Sequence, residues 1–221
     1  MYRQAHAMVA MLLTAMASSA AWAEPADLFA DPEAWWLVPE LSWRWDQRPG
    51  DGATVLTLHE VGPAKLEPVR RPFTTAVYEG QRWSTATIDV EVKSLEPSAR
   101  VGRDVCVLLG YEDDTHYTYV HVSNDADGRV HNVIMKVDGN ERRMIQSPPR
   151  PEPRLRDGWQ RVRVTFNEAG KIAVYMDDFD TPLMTATDAD LPGGRVGIAT
   201  FNDRAAFAAF AIDGEPATSA R

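Results

Sequence analysis

Apolar and polar side chains alternate in short runs through most of the chain after residue 53, and Gly, Pro, Asn and Asp separate these runs. Alternation of this kind is typical of β-strands, because successive side chains of a strand point to opposite faces of its sheet. No stretch after residue 50 keeps a helical period over three turns. The pattern predicts strands at 53–58, 73–79, 84–93, 104–111, 116–122, 131–137, 141–146, 159–167, 171–177, 182–187, 194–201 and 206–213. It therefore predicts an all-β fold, a sandwich of two antiparallel sheets.

Composition divides the chain further. Residues 24–50 are rich in tryptophan and contain one short helix signal, so we expect a segment that packs on the main domain. Residues 51–214 carry the strand pattern and form the predicted β-sandwich domain. Residues 215–221 are polar, which predicts a disordered tail. Within the sandwich, Asp138-Gly139-Asn140 has the composition of a tight hairpin turn.

The apolar faces of successive strands predict the core. In each of several strands one face is apolar while the opposite face is polar, as expected where one side of a sheet is buried. The residues predicted to lie in the core are Val120, Val133, Met135, Val162, Val164, Val174 and Ile198.

One strand has an unusual outward face. Tyr117, Tyr119 and His121 alternate with the core face of their strand, so all three point to one side. We expect this face to be open, with Asn132 and Lys136 added from the neighbouring strand. Flat aromatic surfaces with polar tips are typical of saccharide sites, because sugar C–H faces stack on rings. The alternative is cross-strand aromatic packing on a covered sheet, with residues 35–45 as the cover.

Two more residues complete the predicted ligand-binding set. Trp83 would stack with the tyrosines, and Arg143 would bind a sugar hydroxyl or an acidic group.

Charge and cysteine content limit the possible partners. The chain has 221 residues and a formal net charge of −9, and this acid excess argues against nucleic acid as the main partner. Its one cysteine, Cys106, excludes an internal disulfide and a zinc-cysteine cluster. Because it lies in an apolar run, we interpret Cys106 as a small buried residue and not a nucleophile.

The first residues have the features of a signal peptide. Arg3 precedes an apolar run over 7–21, and the small-x-small sequence Ala21-Trp22-Ala23 follows it. The run is too short for a transmembrane helix, and nothing later is long and apolar enough to span a membrane. We therefore expect residues 1–23 to be a cleaved signal peptide and the mature chain to be periplasmic or secreted.

Several segments resemble a known group of proteins. The most specific is Gly110–Val122, which contains the aromatic-histidine strand, and Gly193–Phe201 is another. Together the matching segments span about residues 80–213 and resemble secreted bacterial concanavalin A-like (laminin G-like) jelly rolls, of the 3-keto-disaccharide hydrolase and glycoside hydrolase family 16-like type. The resemblance implies a jelly roll whose concave sheet handles carbohydrate. The other matching segments are 132–134, 137–143, 158–164, 174–177 and 207–212.

The resemblance also implies a place in the sequence where catalytic carboxylates would be expected. Family 16 enzymes carry a Glu-x-Asp-x-(x)-Glu strand that supplies a nucleophile and an acid/base. Here Asp89 and Glu91 stand nearest to that pattern, but Thr87 replaces the first Glu and Lys93 replaces the last. Asp89, Glu91 and His121 are therefore only weak catalytic candidates. A solvated strand face is the simpler interpretation of the two carboxylates.

Metal chemistry has two weak signals. His116, His121 and His131 could gather on a sheet as a transition-metal site, although their spacing matches no short motif. Residues 124–128 form an oxygen-rich turn that could hold calcium, but the further acidic ligand of a calcium loop is missing. We expect no metal and no cofactor, with calcium as the one alternative.

Three hypotheses follow. The first is an exported domain that binds a saccharide or glycoconjugate. The second is a glycoside-cleaving hydrolase, which should show two carboxyl groups converging in a cleft, one with a raised pKa. The third is a structural or protein-interaction domain without a sugar site. An open aromatic platform without such a carboxyl pair distinguishes the first from the other two.

The export signal gives a direct prediction. When the chain is expressed in a Gram-negative host, the protein recovered from the cell envelope or medium should begin at Glu24, because Ala21-Trp22-Ala23 matches a signal-peptidase cut. N-terminal sequencing measures this. Exported protein that still begins at Met1 would contradict the prediction.

Overall fold

A computed structural model describes residues 26–125, 129–148, 152, 155–191 and 193–217. The predicted signal peptide lies outside these residues. Three short 3-10 turns occur among the first strands, at Leu28–Ala30, Pro32–Ala34 and Glu40–Ser42. The strands are β1 (Trp35–Val38), β2 (Trp43–Gln47), β3 (Thr54–Leu58), β4 (Thr74–Ser94), β5 (Asp104–Asp113), β6 (His116–Ser123), β7 (Val133–Asp138), β8 (Glu141–Met144), β9 (Gln160–Phe166), β10 (Lys171–Met176), β11 (Met184–Thr187), β12 (Gly194–Thr200) and β13 (Ala205–Pro216).

Strand β4 belongs to both layers of the fold. Its first residues pair with β1 and β12, and its later residues pair with β13 and β9. The first sheet therefore has the order β1-β4-β12-β5-β6-β7-β8, and the second has the order β2-β3-β13-β4-β9-β10-β11. Every pairing between these strands is antiparallel. The predicted all-β, two-sheet antiparallel sandwich is confirmed.

The main core lies between the two sheets. Val120 and Ile198 of the first sheet share one buried cluster with Val162, Val164 and Val174 of the second. All five were predicted core residues, and none exposes any surface. The alternation of apolar and polar residues along each strand is therefore sufficient to predict the residues of the main core.

A second apolar layer covers the outer face of the first sheet. Val133 and Met135 are buried, as predicted, but they lie in this outer cluster and not between the sheets. Ile134 is the β7 residue that faces the main core. Strand β7 therefore has buried residues on both faces, which alternation alone does not reveal.

The tryptophan-rich segment is part of the sandwich. Strand β1 pairs with β4 in the first sheet, and β2 pairs with β3 in the second. Trp35 and Trp43 are buried in the main core, and Phe29 packs against Trp35 with ring centroids 4.9 Å apart. The predicted boundary at residue 50 is therefore not a structural boundary.

Other boundaries differ in small ways. The predicted strands 73–79 and 84–93 are one continuous strand, β4. The predicted disordered tail at 215–221 is wrong for its first residues, because β13 continues to Pro216, and 218–221 lie outside the described residues. The hairpin turn at Gly139-Asn140 is present between β7 and β8, with Gly139 at a φ of +61°. None of the described helical segments has the length and apolar content needed to cross a membrane.

Substitution of Val164 tests the assigned core. Val164 is fully buried between Ile88 and Val174 on neighbouring strands. Val164→Ala should lower the free energy of unfolding by about 1–3 kcal/mol, because it removes buried methyl groups and leaves a cavity. Urea denaturation measures the change. The control is Lys171→Ala on the exposed side of β10, which should change stability by less than about 0.5 kcal/mol; equal losses in both variants would contradict the assignment.

Candidate functional site

The predicted aromatic platform exists, but it is covered. Tyr117, Tyr119 and His121 share one face of β6, as predicted, and neighbouring rings lie 6.1 Å and 6.3 Å apart. Their exposed fractions are only 4%, 0% and 2%. The expected open platform is therefore wrong. The alternative, aromatic packing on a covered sheet, describes this face.

The cover includes the segment 59–73, which we call the strap, and the tryptophan-rich segment adds Trp36, whose ring lies 6.3 Å from that of Tyr111 in the same outer cluster. Phe73 belongs to the outer cluster, and Val61 and Val69 pack against it. The strap joins β3 to β4 and runs across the outer face of the first sheet. Its prolines and charges resemble an exposed loop in the sequence, so its covering role could not be predicted from pattern alone.

Buried ion pairs hold the strap in place. Arg71 is buried and donates two hydrogen bonds to Asp114 at 2.8 Å and 3.1 Å. Lys65 binds the same carboxylate at 2.8 Å. Arg71 also donates to the carbonyls of Glu67 and Val69, so its guanidinium fixes the strap's own backbone.

Asn132 and Lys136 do not join the platform. Lys136 pairs with Thr118 and so lies on the face opposite Tyr117 and Tyr119. Its ammonium group binds Asp188 at 2.9 Å, and Thr118 donates to the same carboxylate at 3.2 Å. Asn132 is buried in a left-handed turn at φ +50°, where its side chain accepts a hydrogen bond from a backbone N–H and donates one to a carbonyl. The prediction failed for Lys136 because the β7 residues beside the tyrosines are the odd-numbered ones, and it failed for Asn132 because this residue lies in the turn before β7.

Arg143 and Trp83 also lie apart from the predicted triplet. Arg143 pairs with Lys136 and is exposed on that side of β8. Trp83 is half-buried against the main core. The residue that reaches the tyrosines is Arg142, whose Nε donates to the Tyr119 hydroxyl at 2.7 Å. The sequence signal for Arg142 was the predicted hairpin turn at 138–140, because that turn places Arg142 opposite Val137.

A cleft opens beside the covered face. It has a volume of about 300 Å³, and we call it the basic cleft. Phe201 forms part of its wall, and Asp104 lies at its base. Its cationic and imidazole residues are Arg70, Arg100, Arg142, His121 and His131.

Two arginines of the basic cleft have no carboxylate partner among the described residues. The guanidinium carbon of Arg70 lies 5.3 Å from the centroid of the Phe201 ring, and that of Arg142 lies 5.2 Å from it. Arg70 comes from the strap and is exposed, whereas Arg142 comes from β8. Arg100 is different, because it pairs with Glu96 and Asp203. The cleft therefore offers two uncompensated guanidinium groups around one aromatic ring.

Two buried aspartates lie beneath the cleft. The backbone N–H of Asp104 donates to Asp203 Oδ2 at 3.2 Å, and the N–H of Phe201 donates to Asp104 Oδ1 at 3.1 Å. Burial, together with the nearby Asp104 carboxylate, raises the pKa of Asp203 to about 7. Arg100 approaches Asp203 within 2.7 Å and offsets this only in part.

An acidic cavity of about 280 Å³ lies near the β5–β6 hairpin, at the start of β6 and the end of β7. Lys136 and His116 are the basic side chains that line it. A hydrogen bond to Asp113 raises the pKa of His116. The carboxylates that line this cavity are Glu112, Asp138, Asp188 and Asp190.

The weak catalytic carboxylates are held by arginines. Asp89 receives two hydrogen bonds from Arg163, at 2.7 Å and 2.8 Å, and Glu91 forms an ion pair with Arg48. They border a shallow cleft with Asp27, whose pKa is raised mainly by burial. Because each of the two carboxylates is neutralised by a guanidinium, this arrangement is typical of a salt-bridged strand face.

The predicted metal signals are only partly brought together. His121 and His131 lie with ring centroids 5.4 Å apart, while His116 lies by the acidic cavity. Asn124 serves a structural turn, since its side chain accepts from the Arg103 N–H and donates to the Arg100 carbonyl. Residues 126–128 of the proposed calcium turn lie outside the described part of the chain.

Comparisons with known proteins give similarity of fold. No protein-family model matches the chain, and no curated protein sequence matches it. The carbohydrate recognition domain of Emp46p, in its metal-free form, matches with a TM-score of 0.53 and 12% identity, over 81% of this chain and 88% of that one. The exoplasmic/lumenal domain of VIP36, in its Ca²⁺/Man2-bound form, matches with a TM-score of 0.50 and 11% identity, over 85% and 83%.

Glycoside-cleaving enzymes match over only part of their own length. Xylan β-1,4-xylosidase from Bacillus halodurans C-125 has a TM-score of 0.53 and 15% identity, over 86% of this chain but 39% of the enzyme. The chain thus spans about two-fifths of that enzyme's length. At these identities the likeness shows the fold, a concanavalin A-like β-sandwich. The finer resemblance to 3-keto-disaccharide hydrolase and family 16-like domains stays a prediction.

The raised pKa of Asp203 gives a pH prediction. An unfolded aspartate has a pKa of about 3.9, whereas burial and Asp104 raise the pKa of Asp203 to about 7 in the folded protein. Between these values the unfolded chain loses this proton and the folded chain keeps it, so this group lowers stability as pH rises through the window. Asp203→Asn should therefore gain stability relative to the parent protein between about pH 4 and about pH 7, and the difference should be constant above that range.

Denaturant titrations across this pH range measure the difference. Asp213→Asn, at an exposed position of β13, is the matched control and should follow the parent profile. Parallel profiles for Asp203→Asn and the parent protein would contradict the assigned pKa.

Proposed function

We propose that this protein is an exported domain that binds a saccharide or glycoconjugate carrying a carboxylate or sulfate group, and that the basic cleft is its binding site. The observation that carries the proposal is the placement of Arg70 and Arg142, both without a carboxylate partner among the described residues, around the Phe201 ring. The sandwich fold shared with carbohydrate recognition domains supports the ligand class.

The two guanidinium groups suit an acidic ligand. A guanidinium presents paired N–H donors that match the two oxygens of a carboxylate or sulfate. Arg142 is oriented in advance, because its Nε donates to Tyr119 and its guanidinium lies over the Phe201 ring in the wall of the cleft. Arg70 is exposed on the strap, and its guanidinium lies over the same Phe201 ring, so it can contact another acidic or hydroxyl group of the same ligand.

The rest of the cleft suits a sugar ring. Small-ligand sites are typically concave, with cavity volumes upward of about 300 Å³ and a few polar groups that fix orientation. The cleft has this size, and the buried Phe201 ring forms one wall. The rings of His131 and His121 complete the wall of the cleft near the arginines.

The other hypotheses have less support. A hydrolase needs two free carboxyl groups on either side of the scissile bond, whereas Asp89 and Glu91 are each held by an arginine. The pair Asp104 and Asp203 includes a carboxyl group with a raised pKa, but Asp203 is fully buried and paired with Arg100, so it cannot reach a substrate in the cleft.

A protein-interaction domain without a sugar site does not account for the guanidinium groups of Arg70 and Arg142 over the buried Phe201 ring. Export, which the first residues predict, would place the cleft where glycans occur.

Substitution of Arg142 tests the proposed site. Arg142→Ala should weaken binding of an acidic oligosaccharide by about 10- to 100-fold, because a hydrogen bond to a charged group contributes about 1.5–3 kcal/mol. A panel of uronate-containing and sulfated oligosaccharides, with neutral ones beside them, is titrated by calorimetry. Neutral oligosaccharides should bind weakly or not at all.

Arg143→Ala is the matched control. Arg143 is the next residue of β8, carries the same charge and is exposed on the opposite side of the strand. Its substitution should leave binding unchanged. Equal losses in the two variants, or equal binding of neutral and acidic oligosaccharides by the parent protein, would contradict the proposal.

A further inference from the structure

Three buried side chains able to bind a transition metal lie together beneath the basic cleft, and two of them, Asp104 and His121, line it. Asp104 and Cys106 are two residues apart on β5 and therefore point to the same face. His121 lies directly opposite Cys106 on β6. One ligand atom from each of the three lies within 4.8 Å of the others, and all three residues are buried.

The imidazole of His121 is oriented as a ligand. Its Nδ1 faces the carbonyl oxygen of Val130, which can only accept a hydrogen bond, so Nδ1 carries the proton. Nε2 then points toward Asp104 Oδ2 at 3.3 Å, and it is a buried nitrogen without a hydrogen-bond partner among the described residues. Metal-binding histidines typically donate their second ring N–H to a backbone carbonyl or a carboxylate in this manner.

The carboxylate is oriented as well. Asp104 Oδ1 accepts the backbone N–H of Phe201, which leaves Oδ2 directed at His121. Cys106 contributes a buried thiol from the same strand. A carboxylate, a thiolate and an imidazole together form a mixed O, S and N set that suits zinc and similar divalent ions.

We propose that Asp104, Cys106 and His121 form a binding site for a divalent transition-metal ion of the zinc class, with the fourth position open to the basic cleft. A tetrahedral zinc ion holds its ligand atoms roughly 3.3–3.8 Å apart, so small side-chain rotations close the three groups on an ion. On binding, the Cys106 sulfur forms a bond to the metal and its proton passes to solvent.

The charges around the site allow a cation. The Asp104 carboxylate and the Cys106 thiolate balance the two positive charges of the ion. Arg100, the arginine nearest the buried aspartates, is already paired with Asp203 at 2.7 Å. Since the open position faces the cleft that contains Arg142, a water or an anionic ligand group there would contact both the metal and a guanidinium.

The site is tested with cobalt(II) alone, added to the purified metal-free full chain. Cobalt(II) replaces zinc and reports its ligands by absorption, since a thiolate ligand produces a charge-transfer band and a tetrahedral site produces intense d–d bands. We expect saturation at one equivalent, with both features present, and zinc should displace the cobalt. These spectra use the parent protein, so they test thiolate ligation even if a variant does not fold.

Variants then assign the ligands. Cys106→Ser should abolish the charge-transfer band, and His121→Gln and Asp104→Asn should each weaken cobalt binding by more than about tenfold. His116→Ala is the matched control, because His116 is an exposed histidine at the other end of the same strand. Circular dichroism and thermal denaturation identify any variant that is not folded.

Two results would overturn the proposal. One is folded parent protein that takes up no cobalt or shows no thiolate band. The other is cobalt binding that survives in folded Cys106→Ser and His121→Gln but is lost in His116→Ala. Because the probe is the metal without any saccharide, the result is independent of the proposed carbohydrate function.

Discussion

Strand β4 is the constraint on which the sandwich depends. It has 21 residues and forms hydrogen-bonded ladders in both sheets, with β1 and β12 at its start and with β13 and β9 at its end. The two layers are thus joined by continuous backbone and not only by apolar contact. A change in the register of β4 would move the pairings of both sheets, because side chains alternate with a period of two. The position of the basic cleft on the first sheet is fixed through this strand.

The first sheet is buried on both faces, and this explains the character of the site. Its inner face joins the main core, while its outer face carries the aromatic cluster beneath the strap. The strap is held by two of its cations, the buried guanidinium of Arg71 and the ammonium of Lys65, which both bind one carboxylate, Asp114. Where this cover ends, polar groups of the sheet become accessible as the basic cleft. The candidate site is therefore the edge of a covered aromatic surface and not an open platform.

The pattern of apolar and polar residues was sufficient to predict the fold and the core residues, because in a strand with one polar face the other face is the buried one. It also placed Tyr117, Tyr119 and His121 on a single face. It could not predict that the face is covered, because the strap carries its few apolar residues between prolines and charges. It expected Asn132 and Lys136 beside the tyrosines because alternation does not specify the register between neighbouring strands, whereas Val137 and Met135 lie opposite Tyr117 and Tyr119. Arg142 was missed because its contact with Tyr119 depends on the register of β8 on β7 and of β7 on β6, and composition does not specify these registers.

The division of the basic cleft between two kinds of segment has an evolutionary consequence. Arg142 belongs to a strand whose position the sandwich fixes, whereas Arg70 belongs to a connecting segment that tolerates changes of length and sequence. Homologues could therefore exchange the strap and alter which ligands the cleft accepts, while β4, the core and the floor of the cleft stay the same. Such an exchange has to keep the buried strap residues Phe73 and Arg71, so selectivity can diverge at exposed strap positions such as Arg70 with little cost to stability.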